Sequence, residues 1–184
     1  MAEGDNILLW KEDGYHNYYF GYWGDPEYPD WDNVWYDDGD NDASDVEIGA
    51  GRACWYLRRA DASSLTISGG VKLTPTTVTL LANDYTMFSN PYPSAIALKD
   101  LKVTAPFGGP TMAEGDNLLI WLADGYHNYY YGYWGDPEYP DWDNVWYDDG
   151  DNDASDVTID SGVACWYLRR SDATTMSFVS PLAK

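Results

Sequence analysis

Apolar and aromatic residues fall along this chain in short bursts, each closed by Gly, Asp or Asn. ILLWK (7–11), YHNYYFGYW (15–23), ACWYLRR (53–59) and SLTI (64–67) are rich in β-branched or aromatic side chains and have the length of strands. Turn signals at Asp13-Gly14, Gly24-Asp25-Pro26 and Asp38-Gly39 separate them at the short spacing of antiparallel pairs. No stretch sustains a helical period. The pattern predicts an all-β chain.

The bursts recur. Residues 1–69 repeat at 112–180 with a constant offset of 111 and no gaps, and 21–46 returns unchanged as 132–157. Repetition at this level means two copies of one structural module. Between them lies a segment present once, 70–111, which reads as strands punctuated by Pro and Asn-Pro: VKLTPTTVTLLA, then DYTMFSNPYPSAIALKDLKVTA. The expected architecture is therefore two sandwich-like antiparallel domains from an internal duplication. Residues 1–69 form a first module that lacks opening strands, and 70–184 form a complete sandwich from the opening segment 70–111 and the second copy 112–184. Met1 aligns with Met112, inside the chain after GGPT. Met1 thus reads as an ordinary module residue, and the chain as a mature or partial product.

Composition sharpens this picture. Ten Trp and 17 Tyr without long aliphatic runs call for an aromatic-rich, sheet-like core. Two cysteines, Cys54 and Cys165, are too few for a disulfide framework or a zinc site, and they stand at hydrophobe positions of matching strands, where a buried free thiol is expected. The formal charge of −21 opposes binding to nucleic acid, whose phosphates would be repelled. No segment has the length of an apolar membrane span.

Three stretches, GDNLLIWLADGYHNYYYGYW, GVACWYLRR and FSNPYPSAIALKDL, together resemble a group of tandem-repeat extracellular β-sandwich surface and filament proteins of environmental bacteria. In that group an NPYP-like segment opens a unit, a GD-x-hydrophobic-x-W strand and a Tyr-rich strand follow, and a G-x-G-F-W-Y-x-R-like strand closes it. The resemblance covers 80–182 as a full unit and 1–68 as a unit without its opening. Ala164 and Cys165 stand where the pattern has Gly and Phe. The resemblance implies an extracellular or cell-surface location and brings no catalytic residues.

The densest chemistry is acidic. From 21 to 46 there are nine Asp and Glu and no Lys or Arg, and the two copies together hold 18 of the 31 acidic residues. Such crowding repels itself unless solvated or neutralised by a cation. Asp25, Asp30, Asp32, Asp38, Asp40 and Asp42, with Asp136, Asp141, Asp143, Asp149, Asp151 and Asp153, are the candidate calcium ligands, since oxygen-only donors favour calcium over zinc or copper. An EF-hand is not expected: Ala43 stands where that loop needs Gly, and no helices flank it. The neighbouring belt of Tyr15, Tyr18, Tyr19, Tyr22, Trp23, Tyr28, Trp31, Trp35 and Tyr36 could stack on sugars, which makes a calcium-dependent carbohydrate-binding module the alternative, with glycans as partners. His16 and His127 lie in the Tyr-rich strands, and no G-x-S-x-G elbow accompanies them. No enzyme is expected.

The copies differ in one direction. Lys11-Glu12 becomes Leu122-Ala123, Arg52 becomes Val163, and Ile67-Ser68 becomes Phe178-Val179. Leu122, Val163, Phe178 and Val179 are therefore candidate interface residues. A module short of strands exposes a sheet edge, which a neighbour must cover, and a contact of this kind that does not close propagates into a filament. The expected function is a structural subunit of an extracellular assembly, a homopolymer built head to tail.

Overall fold

The computed structural model describes residues 3–62 and 71–180. Among them the chain is all-β: every extended element pairs antiparallel, and the only helical pieces are three 3-10 turns, Pro29–Trp31, Leu98–Asp100 and Pro140–Trp142. The chain divides into two compact units. The first comprises residues 1–49 and 53–69, the second 50–52 and 70–184.

The first unit is one four-stranded sheet in the order β3-β2-β1-β4, with β1 at Asn6–Lys11, β2 at Gly14–Gly21, β3 at Val34–Asp37 and β4 at Cys54–Leu57. A two-residue turn joins β1 to β2, closing on the Lys11 and Gly14 pair. Gly14 has φ +118°, and a Cβ there would meet nothing within 4 Å, so conformation and not space requires the glycine. The Tyr-rich strand ends at Gly21, short of the expected Trp23, because the backbone amides of Trp23 and Gly24 leave the ladder to donate to the Asp32 carboxylate at 2.7 and 2.9 Å. Likewise β4 ends at Leu57, since Arg59 donates its amide to Asp5 at 2.9 Å. The strand expected at 64–67 lies outside the described residues.

The second unit repeats these strands 111 residues later, as β9 (Asn117–Leu122), β10 (Gly125–Gly132), β11 (Val145–Asp148) and β13 (Ala164–Leu168). It then adds to them. The opening segment supplies β5 (Thr76–Leu80), β6 (Tyr85–Ser89), β7 (Ile96–Ala97) and β8 (Lys102–Val103), and the chain continues with β12 (Thr158–Ile159) and β14 (Thr174–Phe178). β6 joins the edge of the repeated sheet to give β11-β10-β9-β13-β6, while β5-β14-β8 forms a three-stranded sheet and β12 pairs with β7. Leu118, Ile120, Cys165 and Tyr167 of the larger sheet and Val78, Leu80, Met176 and Phe178 of the smaller one share a single core. Two layers enclosing one core make a sandwich-like unit. Residues 50–52 belong to it too: the Gly51 carbonyl accepts from the Ser89 amide at 3.0 Å.

Candidate functional site

The acidic loops are built by their own carboxylates. After β2, Asp32 gathers the amides of Trp23 and Gly24, and Asp25 accepts from the Glu27 amide at 2.9 Å, so each carboxylate closes a turn. After β3, Asp37 accepts from the amides of Gly39 and Asn41 at 2.9 and 3.0 Å, and Asp42 from that of Ser44 at 2.9 Å. The second copy repeats every one of these bonds through Asp143, Asp136, Asp148 and Asp153. Backbone amides hold the Asp37, Asp42, Asp148 and Asp153 carboxyls below the usual carboxylate range, with the amides of Asn41, Ser44, Asn152 and Ser155 as the respective main causes.

The tyrosines close onto these loops. Tyr19 donates its hydroxyl to Asp40, which pushes its pKa up to about 12. Tyr130 donates to Asp151 at 2.7 Å, and its pKa is raised first by burial and then by that bond. Asp38 accepts from Asn17 at 3.0 Å, whereas in the second copy Asn128 turns to the Met112 sulfur and Asp149 lacks that contact. Asp30 and Asp141 occupy the 3-10 turns. Among the twelve candidate ligands, Asp30, Asp40 and Asp42 border one groove of about 650 Å³ with Trp23, Trp31 and Tyr36; Asp25, Asp32 and Asp38 do not. No group of three or more acidic, His or Cys side chains among the described residues is arranged to hold a metal ion. Tyr28 stacks on Trp31 with ring centroids 4.4 Å apart, and Tyr139 on Trp142 at 4.3 Å, so half of each stacking surface is already used within the loop.

A second candidate lies on the other side of the first unit's sheet. Ile7, Leu9, Tyr18, Trp35, Val46 and Ile48 line an apolar groove of about 190 Å³, bordered by Cys54 at the edge strand β4. Leu9 and Tyr18 are buried in both units, like their counterparts Ile120 and Tyr129, whereas Ile7, Trp35 and Ile48 are more exposed than Leu118, Trp146 and Ile159, which are core. Ile48 is 46% exposed and Ile159 is 0% exposed, although the two hold the same place in the repeat and follow an identical stretch, 21–46 and 132–157. Cys54 is half-buried and Cys165 fully buried, which corrects the expectation that both thiols are enclosed. Burial pushes both thiol pKa values up. The cause of the difference is the opening segment: Phe88, Leu98 and Ile96 cover the second unit's face, and the described part of the first unit has no equivalent of β5, β6, β7 or β8.

The candidate interface residues separate. Leu122 and Val179 are 38% and 56% exposed. Phe178 is fully buried in the second unit's own core, where its ring lies 5.5 Å from that of Phe88, and Val163 packs against that core. The change from Ile67 to Phe178 therefore fills a core and not a contact surface. His16 and His127 are accounted for locally, each within hydrogen-bond distance of a turn aspartate, Asp13 at 2.7 Å and Asp124 at 2.9 Å.

Sequence reasoning missed the polar node that ties the start of β1 to the end of β4, and the start of β9 to the end of β13. Asp116, fully buried, accepts from Arg169 at 2.7 Å, Tyr167 at 2.9 Å, the Arg170 amide at 2.8 Å and the Phe107 amide at 3.0 Å. Asp5 receives Arg58, Tyr56 and the Arg59 amide in the same way. The signal was present: a GD dipeptide opens, and WYLRR closes, each copy. An ion pair needs the two ends in register, which spacing alone does not reveal. The chain matches no known protein family, no curated protein and no solved structure.

Proposed function

We propose that this protein is a structural subunit of an extracellular, cell-surface assembly, a filament polymerised head to tail through the uncovered face and edge strand of the first unit. The observation that carries this reading is the contrast between Ile48 and Ile159, the same residue in the same module, half-exposed in one copy and enclosed in the other. A contiguous apolar groove beside a strand edge costs solubility and invites pairing, so its retention in a chain of net charge −21 points to a partner. The resemblance to repeat-containing surface and filament proteins supports the same reading. Electron microscopy of the native material tests it: ordered filaments are the expected result, and a monodisperse monomer at high concentration overturns it.

The groove of Trp23, Trp31 and Tyr36 with Asp30, Asp40 and Asp42 favours a second reading, a calcium-dependent carbohydrate-binding module. Aromatic faces with carboxylate acceptors suit sugar hydroxyls. Glycan-array binding that is lost on chelation supports this reading, and binding to no glycan with or without calcium rejects it.

A further inference from the structure

We propose that the groove bounded by Trp23, Trp31, Tyr36, Asp30, Asp40 and Asp42 binds amino sugars, glycan chains whose units carry free ammonium groups, and that its counterpart in the second copy does the same. This deepens the carbohydrate reading and rests on its sugar half; the ligand's own ammonium stands where that reading has calcium.

Fixed aromatic rings make the walls. Trp23 stands edge-on to Tyr36, with ring centroids 4.7 Å apart and planes at 76°. Tyr36 is buried, stacks on Tyr19 at 5.6 Å and donates its hydroxyl to the Trp31 carbonyl at 2.9 Å, so its ring is held before any ligand arrives. Tyr28 stacks on Trp31 with planes 13° apart and does not line the groove, which leaves the opposite face of the Trp31 ring for a ligand. Trp23 and Trp31 are each about half exposed. An open aromatic face suits the C–H face of a sugar ring, which is apolar in the middle and rimmed by polar groups. Rings that are already ordered lose little entropy when that face lands on them. At about 650 Å³ the groove has the size of a small-molecule site, larger than a lone ion needs.

Charge then selects among sugars. Asp30, Asp40 and Asp42 line the groove, and 21–46 holds no Lys or Arg to neutralise them. Asp40 accepts from the Tyr19 hydroxyl and Asp42 from the Ser44 amide at 2.9 Å; both donors are neutral, so they fix the carboxylates in place and leave their charge intact. An anionic sugar is repelled by this wall, and a neutral one offers it hydroxyls alone. An amino sugar offers N–H donors that carry the opposite charge, and such bonds are roughly twice as strong as neutral ones. The net charge of −21 adds a long-range pull on cations in the same direction.

The second copy rebuilds these walls. Trp134 meets Tyr147 at 4.9 Å and 79°, Tyr139 stacks on Trp142 at 4.3 Å, and Tyr130 stacks on Tyr147 at 5.6 Å. Every residue that lines the groove comes from 21–46, the stretch returned unchanged as 132–157. Differences begin at once on either side of it, Phe20 becoming Tyr131 and Glu47 becoming Thr158. The groove is therefore the part of the module that the two copies share most closely, as two sites for one ligand would be.

Titration calorimetry of the full chain tests this with two probes, the tetrasaccharide of β-1,4-linked glucosamine and its fully N-acetylated form, in a mildly acidic buffer that keeps the amines protonated. Acetylation keeps the sugar rings and removes the charge. The amine form should bind at two equal sites per chain, and the acetylated form about tenfold or more weakly. Excess chelator should leave binding of the amine form unchanged. Trp31→Ala combined with Trp142→Ala should abolish it. Asp30→Asn combined with Asp141→Asn keeps the shape of each groove and removes one charge from it, so it should weaken the amine form and leave the acetylated form as it was. Equal affinity for the two tetrasaccharides, loss of binding on chelation, or equal binding of spermidine, which has the charge without the sugar face, overturns the inference. Binding of neutral glycans with none of the amine form would sink it and leave the carbohydrate reading standing, whereas failure of every glycan removes both.

Discussion

At the scale of single residues, identical side chains have unequal surroundings, and measurable consequences follow. Asp116 and Arg169 form a buried pair, whereas Arg58, the partner of Asp5, remains 28% exposed. Removing one member of a buried pair strands the other in a low-dielectric interior. Arg169→Met should therefore lower the stability of the second unit by about 3–5 kcal/mol in urea titrations. Arg58→Met should cost the first unit clearly less, since water solvates part of that guanidinium; equal losses would mean that the two nodes are equally enclosed. The cysteines give a second contrast. Cys54 should react with a thiol reagent in the native chain well before Cys165, which should stay silent until its unit unfolds. Simultaneous labelling, or a mass showing a bridge between them, contradicts this.

At the scale of elements, the acidic loops are turns stapled by carboxylates. Repulsion among nine acids in 26 residues is offset where an oxygen accepts two or more backbone amides, as Asp37 and Asp148 do. These carboxyls titrate below their ordinary 3.8 in the folded chain. Their contribution to stability is thus complete above that unfolded value and is lost as pH falls through it toward the lower folded one. The Asp148→Asn, Asp153→Asn double variant should melt at lower temperature than the parent at neutral pH, and its further loss below about pH 4 should be shallower. Parallel pH profiles for the two proteins would show that these carboxylates do not stabilise the loops. At Gly132 the element imposes a steric demand as well: a Cβ would lie 2.6 Å from the Tyr147 ring, so the aromatic belt can fold back over the strand end only because that side chain is missing.

For the whole molecule, charge opposes the proposed assembly. Copies carrying −21 repel over roughly 10 Å at 0.1 M salt, whereas the proposed contact through the apolar groove of the first unit is insensitive to charge. Association should strengthen from low to moderate ionic strength, as read by sedimentation and electron microscopy, and association that weakens with salt would mean that ion pairs and not the apolar face drive it. The calcium proposal is tested separately. If the loops bind it, chelation should lower the melting temperature by mass action, beyond what matched ionic strength explains. An unchanged melting temperature in excess chelator, with no metal by elemental analysis, removes calcium from the account.

The sequence alone determined the strand content and displayed the repeat at an offset of 111, because alternation and repetition are local properties that packing leaves visible. Strand existence was legible even where ends were not: 15–23 shortened to Gly14–Gly21 because Asp32, far along the chain, captured two amides. The acidic loops were legible as composition but not as geometry. Whether a carboxylate binds a cation or its own backbone depends on turn conformation, which charge counts do not contain. Tertiary structure alone decided which apolar residues are core. Phe178 and Ile159 are enclosed and Ile48 is not, although Ile48 and Ile159 hold the same place in the repeat. The reason is that burial is a property of what lies opposite: the opening segment packs on the second copy of the module, and the described part of the first unit has no equivalent of it.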